Sequence, residues 1–68
     1  MMEGVVKWYN KEKGFGFIGT DDTEYFVHHS FVEDGVLEQG DKVTFGVEYT
    51  RVGNIASNVK KVEGTDEN

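Results

Sequence analysis

Residues 13–18 read Lys13-Gly14-Phe15-Gly16-Phe17-Ile18, with two phenylalanines two positions apart, a glycine between them and a lysine just upstream. Successive side chains of a strand point to opposite faces, so Phe15 and Phe17 share one face while Gly16 and Ile18 share the other. Phe26-Val27-His28 repeats the arrangement. Val27 is the better core side chain there, which turns Phe26 and His28 outward. Paired as a hairpin, the two strands gather Phe15, Phe17, Phe26 and His28 into one exposed patch.

Outward from this hairpin the chain keeps the same period. Strands are expected over Glu3–Asn10, Phe15–Gly19, Glu24–His29, Asp41–Tyr49 and Ile55–Val62, separated by short runs of Gly, Asn, Asp and Thr. The alternation is clearest over 41–49, where Val43, Phe45, Val47 and Tyr49 fall on one side and Lys42, Thr44, Gly46 and Glu48 on the other. Residues 20–23 form a turn closed by aspartate side chains, Ser30–Glu33 a single helical or 3₁₀ turn, and 50–54 a hairpin loop. Five short strands in a chain of 68 residues are too few for a two-sheet sandwich of about 100 residues. A small all-β barrel, five-stranded and antiparallel, of the OB class is the economical solution, because closure removes exposed strand edges.

The length allows one domain, assigned to residues 1–62 and followed by a flexible acidic tail over 63–68. Cysteine is absent, so no disulfide or thiolate metal site supplements the core, and nothing in the sequence calls for a cofactor. No apolar run approaches a membrane span, and the expectation is a soluble, cytoplasmic monomer without a membrane partner.

The formal net charge is −6, which at first argues against a nucleic-acid partner. The charge is unevenly placed, however. Lys7, Lys11 and Lys13 outnumber the acids of the first twenty residues, whereas the acids concentrate between Asp21 and Glu48 with Lys42 as their only basic companion. Basic side chains therefore lie beside the aromatic strands. Clustered exposed rings with lysines nearby suit the stacking of unpaired bases, worth roughly 1–3 kcal/mol per base. A protein-interaction module, in which the rings meet an apolar partner and the acids steer a basic one, is the competing reading. Catalysis is disfavoured: His28, His29 and Ser30 are neighbours on a strand and alternate in direction, and Gly14-Phe15-Gly16 lacks the Gly-Lys-Ser/Thr of a phosphate loop.

The run Gly4-Val5-Val6-Lys7-Trp8-Tyr9-Asn10-Lys11-Glu12-Lys13-Gly14-Phe15-Gly16-Phe17-Ile18 resembles the signature of bacterial cold shock proteins and of the cold shock domain of Y-box proteins. Phe26-Val27-His28-His29-Ser30 is similar to that family's second RNA-binding motif, and Ala56-Ser57-Asn58-Val59 to its last strand, so the likeness spans residues 3–62. The resemblance implies a five-stranded antiparallel barrel that binds single-stranded RNA and single-stranded DNA and acts as an RNA chaperone. Lys7, Trp8, Lys13, Phe15, Phe17, Phe26 and His28 match the family's binding positions. His29 joins them where the family usually carries a third aromatic, and Tyr9, Asn10, Lys11, Phe31, Arg51 and Lys60 are peripheral candidates.

The chain departs from the pattern in several places. Ser30–Leu37 is shorter than usual and lacks the loop aromatic, with Phe31 and Val36 as substitutes; Gly53-Asn54 replaces a Gly-Pro; Arg51 stands one position early; and Tyr25 replaces a smaller core side chain. Trp8 poses a conflict, since alternation puts it inside with Val6 and the resemblance puts it on the binding surface. A bulge between Lys7 and Trp8 reconciles the two.

Overall fold

The computed structural model describes residues 2–33 and 35–62. The expected tail at 63–68 lies outside them. The order is β1 (Met2–Asn10), β2 (Phe15–Gly19), β3 (Glu24–His28), a 3₁₀ turn (His29–Phe31), β4 (Lys42–Thr50) and β5 (Gly53–Lys61). The strands close into a barrel in the order β1-β2-β3-β5-β4. Four pairings are antiparallel as expected. The seam that completes the barrel is parallel, joining β3 to β5 through Phe26 and Ile55. Like the β1–β4 pairing, it joins strands that are not consecutive in the chain, so hairpin reasoning does not reach it.

Two bulges give the strands the bend that closure of so small a barrel requires. In β1 the register advances from Val6 opposite Ile18 to Trp8 opposite Phe17, leaving Lys7 as the extra residue. In β5 the shift falls between the Thr44–Lys60 and Gly46–Ser57 pairs, and Asn58 there adopts a φ of 50°, the left-handed region that asparagine tolerates better than most residues. Between β1 and β2, Asn10 shapes the turn: its carbonyl accepts from the Gly14 amide at 2.7 Å and its Oδ1 from the Lys13 amide at 2.9 Å. Gly14 closes that turn at a φ of 76°.

The interior is filled from every strand. Val6, Ile18, Val27, Val43 and Phe45 are fully buried, and Tyr25 lies against Phe45 with ring centroids 5.2 Å apart. The barrel thus accommodates the larger Tyr25 as a core ring. Val32 bridges Val59 and Leu37 is fully buried, so the irregular stretch after β3 caps the core.

Three local expectations are corrected. Tyr49 is 77% exposed, because β4 runs past the end of the barrel and its last inward position has nothing beneath it. The loop after β4 is a two-residue turn, Arg51-Val52, since pairing continues to Thr50 and Gly53. The 20–23 turn is closed by Thr20, whose Oγ1 accepts from the Thr23 amide at 3.2 Å and donates to the Thr23 carbonyl at 3.1 Å.

Candidate nucleic-acid interface

The register aligns the outward side chains of β1, β2 and β3 in two cross-strand rows. Trp8, Phe17 and Phe26 are successive partners across the three strands, and so are Asn10, Phe15 and His28. The bulge at Lys7 sets the first row: by adding one residue it reverses the parity of β1, so that Val6 points in and Trp8, 43% exposed, points out. The conflict over Trp8 is thereby resolved in favour of the surface.

The rings touch one another as well as solvent. Trp8 meets Phe15 edge-on at 5.5 Å and Phe17 at 5.7 Å, while Phe26 stacks on Phe15 at 5.9 Å and meets Phe17 edge-on at 5.9 Å. Four rings therefore form a closed quadrilateral on the outer face. Edge-to-face packing of this kind contributes about 0.5–1.5 kcal/mol per pair beyond area burial and holds each ring at a fixed tilt. Phe15, Phe17 and Phe26 are half-buried for that reason. The platform is already ordered before anything binds.

At the far end of the platform the strand expectation fails instructively. β3 stops at His28, and His29 opens the 3₁₀ turn instead of alternating inward. The two imidazoles consequently come together, with centroids 4.4 Å apart. His28 Nδ1 accepts from the Ser30 amide at 3.2 Å and lies 2.9 Å from Ser30 Oγ. That backbone donor makes Nδ1 an acceptor, so in the neutral ring Nε2 carries the proton and is free to donate outward. His29 packs over Gly14, where an added Cβ would lie 2.4 Å from its Cδ2. Among the described residues no cluster of three or more His, Cys, Asp or Glu could hold a metal ion.

The cations are partly engaged. Lys7 lies flat over Gly19 and its Nζ is 3.3 Å from Glu24 Oε2, while Lys11 Nζ is 3.0 Å from Glu38 Oε2. Both pairs are more than half exposed and individually worth about 0–1 kcal/mol, so a phosphate can displace the carboxylate at little cost. Lys13 is exposed and its side chain makes no hydrogen bond or ion pair among the described residues.

The peripheral candidates separate. Tyr9 is turned inward against the core by the bulge, and burial pushes its phenol pKa up from the ordinary 10.0. Asn10 is occupied in shaping its turn. Arg51 sits exposed at the β4–β5 hairpin tip, and Phe31 with Lys60 borders a separate groove beside Asn58. Alternation alone missed Ile55, which is half-buried and extends the first row as the partner of Phe26, and Glu48, which ends it as the partner of Ile55. Both join the row only through the parallel β3–β5 seam, which hairpin pairing does not anticipate, so only register could have revealed them.

A closed five-stranded barrel carrying an ordered aromatic platform on one face is the architecture of an OB-type nucleic-acid-binding domain. The family described as 'Cold-shock' DNA-binding domain matches residues 2–62, and the chain belongs to that family. It is 48% identical over 64 residues to "Cold shock protein 2" of Lactiplantibacillus plantarum, covering 88% of this chain and 97% of that protein. It is also 44% identical over 66 residues to "Major cold shock protein" of Streptococcus pyogenes, with 91% and 98% covered, and 48% identical over 65 residues to "Cold shock protein CspC" of Bacillus subtilis, with 90% and 98% covered. Among solved structures, "drosophila Unr CSD456" superposes with a TM-score of 0.73 at 20% identity. That match covers 97% of this chain but 28% of the longer protein, and it speaks for the fold. Family membership also removes the enzymatic reading, since cold-shock domains bind nucleic acid without catalysing a reaction.

Proposed function

We propose that residues 1–62 bind single-stranded RNA and single-stranded DNA with slight sequence preference, as a cytoplasmic monomer, and act as an RNA chaperone in the cold-shock response. The observation that carries this reading is the quadrilateral of Trp8, Phe15, Phe17 and Phe26, four rings held in mutual contact on an outer face. Bases stack on the ring faces and on His28, each stacked base contributing roughly 1–3 kcal/mol whatever its identity. Lys7, Lys11 and Lys13 attract the backbone. Energy gained by holding unpaired bases is withdrawn from competing secondary structure, so marginal hairpins shift toward the open form by mass action, without ATP. The net charge of −6 and the small number of lysines on this face favour a modest affinity and a shallow salt slope.

The test uses the single tryptophan. Titration with oligo-dT and oligo-U at two salt concentrations should quench Trp8 saturably, with weaker binding at higher salt and lower affinity in Phe15→Ala. No spectral change with either oligonucleotide would overturn the reading and leave the platform to an apolar protein partner.

A further inference from the structure

Phe31 takes no part in the four-ring platform, yet it is a large aromatic side chain left 40% exposed. It closes the 3₁₀ turn that His29 opens. The chain beyond it is tied to β5: Val32 bridges Val59, and the Glu33 amide donates to the Val59 carbonyl at 2.9 Å. This attachment lays Ser30, Phe31 and Glu33 alongside Asn58 and Lys60, and the residues enclose an open groove of about 420 Å³.

The lining is chemically mixed in a particular way. Phe31 offers a ring, Lys60 a cation, Asn58 an amide that can both donate and accept, and Ser30 a hydroxyl. The ion pairs among the described residues engage Lys7, Lys11 and Lys61, and Lys60 is in none of them. Glu33 is the acid of the groove and would repel a phosphate on its own side, leaving the Lys60 side for the backbone. The groove adjoins the end of the platform at Ser30, which lines the groove and whose Oγ lies 2.9 Å from His28 Nδ1.

Resting on the single-strand reading above, we infer that the Phe31–Lys60 groove is an additional nucleotide subsite at one end of the bound strand. One base stacks on Phe31, its phosphate meets Lys60, and Asn58 with Ser30 hydrogen-bonds the base edge or sugar. The strand reaches it by passing His28 and His29. The short Ser30–Leu37 stretch thus does not simply lose a loop aromatic; Phe31 presents a ring at a different place, over β5.

Trp8 lies in the platform and outside this groove, so its quenching reports binding without being disturbed by changes at Phe31. Wild type and Phe31→Ala are titrated with an oligo-dT ladder lengthened one nucleotide at a time. In the wild type one step near the full site length should raise affinity about fivefold, the lower end of what a stacked base supplies, and Phe31→Ala should lack that step while matching wild type on shorter oligonucleotides. Phe31→Tyr should restore it. Lys60→Gln should reduce the slope of log K against log salt by about 0.7 on the long oligonucleotide and leave the short one unchanged. An identical ladder for wild type and Phe31→Ala overturns the subsite while leaving the platform standing. Absence of any quenching in wild type instead overturns the single-strand reading and the subsite with it. Should Phe31→Ala fail to fold, Lys60→Gln decides, and an unchanged slope on the long oligonucleotide overturns the inference.

Discussion

Phe17 and Phe45 sit in similar strands with opposite outcomes. Each lies within a short alternating segment, and each pairs with a residue of β1, Phe17 with Trp8 and Phe45 with Met2. Phe45 is fully buried and Phe17 is half-exposed in the platform. The difference lies in their strand neighbours. Phe45 is flanked by Thr44 and Gly46, which face outward and leave the large ring to fill the barrel. Phe17 is flanked by Gly16 and Ile18, which face inward. A Cβ on Gly16 would lie 2.3 Å from the Trp8 carbonyl oxygen and 2.9 Å from Tyr9 Cδ1, so the space of the missing side chain is already taken by β1 and Tyr9. In so small a barrel an aromatic ring is core or surface according to what its neighbours leave unfilled, and hydrophobicity alone does not decide it.

Truncating the two phenylalanines should therefore separate stability from binding. Phe45→Ala removes a fully buried ring and should cost about 3–5 kcal/mol. A domain of this length has a total stability on the order of 3–10 kcal/mol, so the variant should be largely unfolded or close to it in urea-free buffer by circular dichroism. Phe17→Ala removes a half-buried ring with two ring contacts and should cost about 1–3 kcal/mol of stability, less than Phe45→Ala and leaving the chain folded, while losing about 1–3 kcal/mol of affinity for a short oligo-dT. A Phe17→Ala variant that unfolds as readily as Phe45→Ala would break the comparison. Gly16→Ala tests its cause. The added methyl meets backbone, which cannot rotate away, so a loss of about 1–3 kcal/mol is expected together with a shift of Trp8 emission as β1 moves. Wild-type stability in Gly16→Ala would mean that β1 and β2 are not held apart by this contact.

The same two strands show what sequence can and cannot disclose. Period two in β2, β3 and β4 was enough to assign the faces of Phe15, Phe17, Phe26, Val43 and Phe45, because each of these strands keeps its alternation where those residues stand. Bulges break the rule. Lys7 leaves no compositional mark as an extra residue, so strict alternation points Trp8 inward and only the family resemblance points it to the surface. Asn58 similarly obscures the later part of β5, while Ile55 and Glu48 join the platform row only through the parallel β3–β5 seam. Leu37 is fully buried although it belongs to no strand, since it and Val32 pack from the irregular segment onto the barrel core. The contact of His28 with His29 depends on where β3 stops, and a one-residue difference in a strand boundary changes whether neighbours diverge or meet.

The finest test of the inside-versus-outside contrast is Tyr9, the inward neighbour of outward Trp8. Its Oη is buried and makes no hydrogen bond among the described residues, and burial raises the phenol pKa above 10.0. A group whose pKa is higher in the folded chain than in the unfolded one contributes nothing adverse below the unfolded value and destabilises as pH rises toward and through the folded value. Wild type should thus lose stability above roughly pH 10, in a window set by this phenol together with other groups that titrate there. Tyr9→Phe removes both the unsatisfied hydroxyl and its titration. It should be up to about 1 kcal/mol more stable near neutral pH, and its advantage should widen at about pH 11 when denaturant midpoints are compared. Oligo-dT affinity should be unchanged, because this side chain faces the core. A Phe variant less stable at neutral pH would show that the hydroxyl is bonded after all, and one with weaker affinity would put Tyr9 on the outer face with Trp8.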